Sequence, residues 1–397
     1  MNGRKPCRLP LGSVEMGFMR HSTVGVLRTL LAPNAFKGSL SAAQAARAMA
    51  NGVRRSGGTS TLLPLADGGD GTLDVLRQPL GLSVRRTAVR DPLGRTISVQ
   101  WGYNPKTRSA VIEMARASGL ALLRRDECRP METTSFGTGQ LIHAALRAGA
   151  KTIFLGLGGS ATVDGGLGIL QALGAKTWVR KGRDVSLFER PATGGDLARF
   201  HAIDATVVGQ KLKGVRLRVL CDVLNPLLGA RGAARAFGPQ KGATPAEVLL
   251  IERGLKRWAK FIRMKGKDIS TIAGAGSAGG AAAGLLGFTN ARLERGPKTI
   301  FRLIGLETRV KQTDLVMTGE GRVDRTSWEG KALGELVRLC RRHHKPMVVL
   351  AGGIGPGGQP RGVRIVSIGD DKMSLAEKMR NAKKLIQKAA FDVLRFA

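Results

Sequence analysis

Residues 152–173 set narrow limits on the architecture, because a short β-branched and aromatic run leads into six glycines and then an apolar segment. This order predicts a buried strand, a tightly turning loop and a helix. Glycines let successive backbone N–H groups point into one space, and a helix start adds a positive dipole, so the loop is suited to an anion. The candidate phosphate ligands in it are Gly158, Gly159, Ser160 and Thr162.

Asp164 lies in the middle of the same loop. A carboxylate alone would repel a phosphate, so at this position it would hold a metal ion or accept a proton. The alternative is a structural turn from strand to helix in which the aspartate caps the helix. The loop by itself leaves both interpretations open.

Length and composition favour a two-domain α/β enzyme, because 397 residues with 55 glycines can bury large cores between many turns. The four cysteines are far apart and histidines number only five, which argues against a zinc site and favours a reducing cytoplasm. No apolar run reaches about eighteen residues, so no membrane span is expected. Residues 1–23 lack a signal-peptide pattern, and we interpret them as a disordered or spurious extension.

The formal charge of +35 invites a nucleic-acid function, but its distribution argues against one. Lysines and arginines outnumber acids in every hundred residues, and no block or arm concentrates them. Seventeen aromatic residues offer few stacking platforms for bases. We therefore expect no specific nucleic-acid partner, only nonspecific attraction to polyanions at low salt.

The first predicted strand, residues 24–31, leads into a loop that carries Lys37 and Ser39. Ser41 and Gln44 form a capping box, which predicts that a helix begins directly after the loop. Open α/β sheets bind ligands between a strand's carboxyl end and the next helix. This position makes Lys37 and Ser39 candidates for contact with a ligand.

A second predicted strand, residues 59–64, is followed by two acids set among three glycines. Asp67 and Asp70 would lie on a tight loop, where one or two carboxylates suit Mg²⁺ with its remaining positions taken by water and phosphate. The alternative is a solvated Asp-Gly turn.

The pattern changes twice along the chain, which indicates an inserted domain. Residues 83–114 read as antiparallel strands joined by turns, whereas from about residue 301 helices and strands alternate as in a parallel sheet. The first strand and helix of the chain would complete that parallel sheet. We therefore predict a discontinuous parallel-sheet domain interrupted by a mixed insert.

Two further glycine-containing loops supply site candidates in the insert. A predicted strand at residues 216–221 delivers Asp222, Asn225 and Lys241 to one rim. The GxGxxG at residues 274–279 is a weak dinucleotide signal because no buried strand precedes it. Gly276 is interpreted as part of a helix start that faces a phosphate or packs closely.

The loop after the predicted strand 315–318 carries Glu320, Arg322 and Asp324, with Lys331 at the next helix start. The chain has no GxxxxGK[ST], no GxSxG and no protein-kinase motif pair, so P-loop, hydrolase-elbow and protein-kinase functions are excluded.

Together these loops closely resemble the bacterial type I glycerate kinases. Seven signatures occur in that family's order, at residues 32–42, 65–72, 156–166, 221–227, 237–243, 274–280 and 318–331. The resemblance implies ATP-dependent phosphorylation of D-glycerate, typically at the 2-hydroxyl. It also implies a flavodoxin-like domain with an inserted restriction-enzyme-like domain and a site in the cleft between them.

Placed on this chain, the resemblance divides it into an extension at 1–23, a flavodoxin-like domain at 24–64 and 290–397, and an inserted mixed α/β domain at 65–289. Asp70 stands where the family usually has Glu, and Asn34 where it often has Asp or Ser. The shorter carboxylate of Asp70 would alter metal affinity or metal choice if it binds the ion directly.

Phosphoryl transfer needs mainly positioning and charge neutralisation, which assigns hypothetical roles to the candidates. Mg²⁺ would be held by Asp67, Asp70 and Asp164. The cations for phosphate are Lys37, Lys241 and Lys331, and Arg322 would grip the glycerate carboxylate. The general base is one of three acids, namely Asp164, Glu320 and Asp324.

Three functions compete at this point: a glycerate kinase, a kinase of a related small hydroxy acid, and a non-enzymatic polyanion-binding protein. The choice between a 2-phosphate and a 3-phosphate product stays open, as does a homodimer.

Overall fold

The structure is a computed structural model that describes residues 27–328, 330–357, 359–370 and 372–395. The predicted extension over residues 1–23 lies outside these ranges. The strands in the described part of the chain are β1 (Arg28–Leu31), β2 (Thr59–Leu62), β3 (Ser83–Arg90), β4 (Thr96–Asn104), β5 (Ser109–Glu113), β6 (Thr152–Gly156), β7 (Lys176–Lys181), β8 (Asp184–Leu187), β9 (Phe200–Asp204), β10 (Arg216–Cys221), β11 (Arg292–Arg295), β12 (Leu315–Glu320), β13 (Met347–Ala351) and β14 (Arg364–Ser367).

The helices of the same ranges alternate with these strands. They are α1 (Ala42–Arg55), α2 (Thr72–Arg77), α3 (Met114–Ser118), α4 (Phe136–Arg147), α5 (Leu167–Ala172), α6 (Thr206–Lys211), α7 (Ala233–Phe237), α8 (Pro245–Met264), α9 (Ser277–Phe288), α10 (Gly296–Leu303), α11 (Leu306–Lys311), α12 (Arg325–Trp328), α13 (Ala332–Arg342) and α14 (Leu375–Arg395). Four short 3-10 turns lie at Leu120–Leu122, Arg125–Glu127, Gly194–Arg199 and Pro239–Lys241. Within the described ranges, no helix combines the length and the apolarity needed to cross a bilayer.

A five-stranded parallel sheet joins the two ends of the chain, as predicted. Its order is β14-β13-β12-β1-β2, so β1 pairs with β12 across an intervening stretch of more than 280 residues. If the five strands are renumbered 1 to 5 in chain order, the sheet read from β2 to β14 has the order 2-1-3-4-5 that is typical of flavodoxin-like folds. The strand order reverses between β1 and β12, and ligands in open α/β sheets bind at such a point.

The second sheet has six strands in the order β11-β10-β6-β5-β4-β3. β3, β4 and β5 pair in antiparallel fashion, as predicted, while β5, β6, β10 and β11 pair in parallel. β11 was not predicted, and it lies beyond the expected domain boundary at residue 290. A small antiparallel sheet, β8-β7-β9, extends the insert and was also not predicted.

Helices pack between and outside the two large sheets in layers. α1 and α14 cover one face of the parallel sheet, and their apolar side chains form one core with its strands. Residues of α2, α10 and α13 share a second core with both sheets, including Leu220 of β10 and Val316 of β12. Helices α4, α5, α8 and α9 cover the outer face of the mixed sheet. The shared middle layer fixes the two sheets against each other.

Two predicted helix starts are confirmed by their capping hydrogen bonds. The Ser41 hydroxyl oxygen accepts a hydrogen bond from the Gln44 N–H, and the Gln44 side-chain oxygen accepts one from the Ser41 N–H. Thr244 and Glu247 form the same box at α8, with Pro245 in the first turn. The caps place α1 and α8 where the sequence predicts them.

Candidate active site

Loops from the two sheets meet because glycines allow their backbones to touch. The Gly158 N–H donates to the Gly68 carbonyl at 3.2 Å. A Cβ at Gly158 would lie 2.5 Å from the Gly69 Cα, closer than real Cβ contacts allow. This close approach brings the carboxylates of the loop after β2 beside the loop after β6. Glycine in these signatures therefore serves backbone contact between the sheets.

The crevice between the sheets contains a cavity of about 340 Å³. We call it the inter-sheet cavity. Acids and cations from loops at the carboxyl ends of β1, β2, β6 and β10 line it, together with the loop before α8. The charged and hydroxyl groups among its lining residues are Lys37, Asp67, Asp70, Ser160, Asp222, Lys241 and Ser277.

A second cavity of about 400 Å³ lies between α14 and the loops that follow β1, β12 and β13. We call it the α14 cavity. Its polar side is formed by Lys37, Ser39, Glu320, Arg322 and Lys331, and its apolar side includes residues of α14. Ala35 and Lys37 line both cavities, so the two spaces are neighbours along one loop.

The charges of residues lining one cavity change the pKa values of carboxylates in the other. Burial, together with the smaller effect of the negative charge of Asp67, raises the pKa of Asp222 to about 6. Burial likewise raises the pKa of Glu320 to about 7, with Lys331 opposing and Asp67 reinforcing the shift. Lys37 lowers the pKa of both acids. The two cavities thus share a single cluster of acids and cations.

Lys241 is a buried cation at the wall of the inter-sheet cavity, with 3% of its surface exposed. Its Nζ donates to Ser160 Oγ at 3.0 Å and to the Thr162 carbonyl at 2.8 Å. Burial lowers the pKa of Lys241 to about 7, and Asp164 opposes this shift. Because a hydroxyl and a carbonyl only partly compensate a buried ammonium, an anion in the cavity would stabilise its charge.

Known proteins are similar to this chain over nearly its whole length. A profile of the glycerate kinase family matches residues 29–397. The chain belongs to the glycerate kinase family. A glycerate kinase from Halalkalibacterium halodurans is 38% identical to this family member over 371 residues, covering 92% of this chain and 96% of that protein. Glycerate 2-kinase from Escherichia coli is 38% identical over 331 residues, or 83% and 86% of the two chains.

A crystal structure described as that of a glycerate kinase 2 from Salmonella typhimurium LT2 has the same overall fold. It matches with a TM-score of 0.75 at 35% identity and covers 94% of this chain and 98% of that chain. The two-domain α/β fold class is therefore confirmed. Membership in a kinase family makes this chain an enzyme and implies ATP as its phosphoryl donor.

Asp164 has a structural environment in this kinase, which argues against the prediction that it binds metal or acts as the base. It is fully buried and lines neither cavity. Its Oδ2 accepts from the Ser135 backbone and hydroxyl at 2.8 and 2.7 Å and from the Gly168 N–H at 3.2 Å. Its Oδ1 accepts from the Gly166 N–H at 3.1 Å. The carboxylate fixes the turn into α5, as in the structural alternative.

We predict that Asp164→Asn destabilises this kinase. The amide NH₂ would face N–H donors that now bind a carboxylate oxygen, and each buried group left unsatisfied costs about 1–3 kcal/mol. Chemical denaturation should show that loss. The catalytic rate of the remaining folded enzyme should stay within about threefold of wild type, because the carboxylate lines neither cavity. Unchanged stability with lost turnover would contradict this role.

The backbone cradle predicted in the glycine loop is largely occupied by the protein itself. The Gly158 and Gly165 N–H groups donate to the Gly68 and Gly279 carbonyls. Those of Gly166 and Gly168 donate to Asp164. In addition, α5 is only six residues long, so its dipole is small. The remaining phosphate candidates of this loop are Gly159 and Ser160, which line the inter-sheet cavity.

Four other predicted residues line neither cavity, although their loops are adjacent to them: Thr162, Asn225, Gly276 and Asp324. Thr162 is buried and presents its carbonyl to Lys241. The Asn225 side chain donates to the Arg231 carbonyl at 2.7 Å, while the Gly276 N–H donates to the Asn225 carbonyl at 3.0 Å. These contacts hold the loop after β10 against the start of α9 rather than presenting groups to a ligand.

Asp324 caps its own turn. Its Oδ1 accepts from the Thr326 N–H and hydroxyl at 2.9 and 2.8 Å, and these bonds lower the pKa of the aspartate. A carboxyl with a lowered pKa is a weaker base, which disfavours Asp324 as the acceptor of a substrate proton. Lys331 donates to the same Thr326 hydroxyl at 3.0 Å, so this turn also positions one of the predicted phosphate cations.

No group of three or more His, Cys, Asp or Glu side chains with metal-site geometry exists among the residues that the structure describes. The three predicted Mg²⁺ ligands, Asp67, Asp70 and Asp164, therefore do not form a preassembled group in the described part of the chain, and their metal role stays a prediction. Asp67, Asp70 and Asp222 nevertheless share the inter-sheet cavity. One or two of these three carboxylates would suit Mg²⁺, which usually takes that number and completes its shell with water and phosphate.

Sequence reasoning missed the apolar wall of the α14 cavity. Ile368, Leu375, Met379 and Ala382 line it, and Leu375 is 73% exposed. Leu375 and Met379 are one helical turn apart, which also fits an ordinary core-facing stripe. The sequence could not distinguish a core stripe from an open cavity wall, because the difference depends on how α14 docks against α1.

Proposed function

We propose that this member of the glycerate kinase family transfers the γ-phosphoryl group of ATP to the 2-hydroxyl of D-glycerate. The observation that carries the proposal is a buried Lys241 facing clustered carboxylates across the inter-sheet cavity. A kinase of small organic acids needs cations for the anionic substrates and acids for a metal ion and a proton. The test is coupled ATP turnover with D-glycerate against a panel of related small hydroxy acids.

We assign some of the cations to the glycerate carboxylate and others to the phosphates of ATP. Lys241 with Ser160 would hold an anionic group deep in the inter-sheet cavity. Lys37, which lines both cavities, and Lys331 would neutralise the phosphates. Arg322 offers a second place for the glycerate carboxylate, at the polar side of the α14 cavity. These roles follow from position and charge.

Mg²⁺ would be held by Asp67 and Asp222, with Asp70 at the mouth of the same cavity. The residues fit the ion, because burial and mutual repulsion raise the pKa of Asp222 and a cation between the acids would relieve both effects. When bound, the ion would neutralise charge on the transferring phosphate. Asp67 also accepts from the Gly69 N–H at 3.1 Å, which orients its carboxylate.

We predict that Asp67→Asn weakens Mg²⁺ binding, so that turnover requires more Mg²⁺. Asparagine keeps the oxygen that accepts from Gly69 but removes the charge that attracts the ion. We expect the Mg²⁺ concentration for half-maximal activity to rise by about 10- to 100-fold. The matched control is Asp74→Asn on the exposed side of α2, which should leave it unchanged. An unchanged Mg²⁺ dependence in Asp67→Asn would remove Asp67 from the metal site.

Glu320 is the best candidate for the base that accepts the hydroxyl proton. Of the three predicted acids, only Glu320 lines a cavity, and its pKa is raised to about 7. A base is most effective when its pKa lies near the working pH. The charged groups that act on it are Lys331, Asp67, Lys37 and Asp324. Asp222, with a pKa of about 6, is the alternative base from the other cavity, and in that case Asp67 and Asp70 would hold the metal ion without it.

We also propose the domain division and the 2-phosphate product that were predicted from the sequence. The domain division is supported by the two sheets, except that β11 pairs in the mixed sheet and favours a second boundary after residue 295. The 2-phosphate product is favoured by the E. coli relative named glycerate 2-kinase. Cytoplasmic location and a homodimer stay predictions.

A further inference from the structure

We propose that the α14 cavity binds the nucleoside of ATP, with the phosphates running past Lys37 into the inter-sheet cavity. This inference rests on the proposed kinase function and assigns its two cavities to different parts of the two substrates. It makes α14 the recognition element for the nucleotide.

The walls of the α14 cavity have the chemistry of a base site. Ile368, Leu375 and Met379 present apolar side chains to the space, and the exposed fractions of Leu375 and Met379 are 73% and 36%. Large apolar side chains that stay open to solvent beside a concave site mark a place where a ligand covers them. A purine has two apolar faces and would bury these side chains.

The fold places this cavity where nucleotides bind in related architectures. The loops after β1 and β12 form its polar side, and the strand order of the parallel sheet reverses between these two strands. Ligands of open α/β sheets lie outside the carboxyl ends of the strands at such a reversal. The backbone also comes close here, since the Ser39 hydroxyl donates to the Met379 carbonyl at 2.9 Å.

The distribution of charge gives the bound nucleotide a direction. α14 contributes the apolar Leu375 and Met379 together with the cation Lys378, whereas Arg322 and Lys331 belong to the segment after β12. Lys37 joins this space to the inter-sheet cavity. The carboxylates suited to a metal ion, Asp67 and Asp222, line only the inter-sheet cavity. A nucleotide with its base on α14 would therefore carry its terminal phosphate towards the acids.

Glycerate is a poor occupant of the α14 cavity by comparison. A three-carbon acid has little apolar surface to cover Leu375 and Met379, and a space of about 400 Å³ is in the range that holds drug-sized molecules. The glycerate carboxylate would then be held by Lys241 and Ser160, and Arg322 would act on the nucleotide. The glycerate hydroxyl would lie at the junction of the two cavities, which Lys37 lines from both sides and where the charge of Asp67 acts on Glu320.

The test is the substitution Leu375→Asp, which puts a charge against the base at the first residue of α14. Aspartate is compatible with a helix start, so the fold should be kept. Loss of apolar contact should raise the KM for ATP and the Kd for ADP by about tenfold. The KM for glycerate and kcat should stay within about twofold. Leu249→Asp, at an exposed leucine of α8, is the matched control and should change none of these values.

Calorimetric titration with ADP separates the failure of this inference from that of the kinase function. If wild type binds ADP, Leu375→Asp weakens that binding and no glycerate is phosphorylated, only the proposed function fails. Equal ADP affinity in the two proteins, or no ADP binding to wild type, would overturn the nucleoside site. A raised KM for glycerate with an unchanged KM for ATP would overturn it too, and would assign the cavity to glycerate.

Discussion

Glu320→Gln should lower kcat with glycerate by about 10²- to 10⁴-fold, the usual contribution of a general base. Glutamine has the same shape but accepts a proton far less readily. In wild type, the pKa of Glu320 near 7 means that the fraction of ionised base falls tenfold for each pH unit below that value. The plot of kcat/KM against pH should therefore fall on the acid side of about pH 7, and the variant should lose this limb.

Loss of folding would not explain this result. Because the folded protein raises the pKa of Glu320, its ionisation opposes folding, and the stabilising effect of the protonated form is lost as pH rises through about 7. Glutamine carries no such charge, so the variant should be at least as stable as wild type at pH 8. If Asp222→Asn, and not Glu320→Gln, removes the acid limb, the base is Asp222.

Lys241→Met should lower kcat/KM by about 10²- to 10³-fold, comparable to losing one preorganised donor from an oxyanion site. Methionine has nearly the same length and no charge. Lys241 is 3% exposed, so the side chain should pack in the same space without ordering solvent. The variant therefore lacks the charge that would attract an anionic group of the substrate to this position.

Stability distinguishes this catalytic role from a structural one. Methionine removes the cost of burying an ammonium group, but it leaves the Ser160 hydroxyl and the Thr162 carbonyl without their Lys241 donor, so the two effects oppose each other. We expect the midpoint of thermal unfolding to stay within a few degrees of wild type. Lys260→Met on the exposed face of α8 should retain full activity. Full activity of Lys241→Met would contradict an anion site at this lysine.

Much of the fold was predictable because local patterns and tertiary structure agree. β10 and β13 have the predicted bounds. β13 is an unbroken apolar run of the kind that parallel sheets bury on both faces, and β10 is apolar and buried over its last three residues although it carries Arg216 and Arg218. The caps of α1 and α8 need only residues three positions apart. The interrupted parallel sheet followed from the change in rhythm along the chain.

The strands that were missed have weaker local signals. β11 has alternating charged and apolar residues and is only four residues long, and its partner β10 lies about 75 residues away. β7 and β8 are largely exposed and also carry several charges. Short, charged strands are stabilised mainly by their neighbours, so composition alone does not identify them.

The candidate site was predictable as a set of loops but not as roles. Asp164 and Asp67 follow glycine-rich patterns of the same kind, yet one is enclosed by N–H donors and the other lines a cavity. The difference comes from Ser135, which approaches Asp164 from 29 residues away. Which glycine N–H groups have protein acceptors is likewise decided by contacts between loops, such as Gly158 with Gly68.

We expect the crevice between the two sheets to phosphorylate glycerate. Phosphorus NMR of a reaction containing the enzyme, ATP, Mg²⁺ and D-glycerate would detect this, with the Lys241→Met protein run in parallel. We predict a 2-phosphoglycerate signal that grows as ATP is converted to ADP. With the variant, this signal should grow at least about a hundredfold more slowly. No phosphorylated glycerate from the wild-type enzyme, or equal rates from both proteins, would contradict the claim.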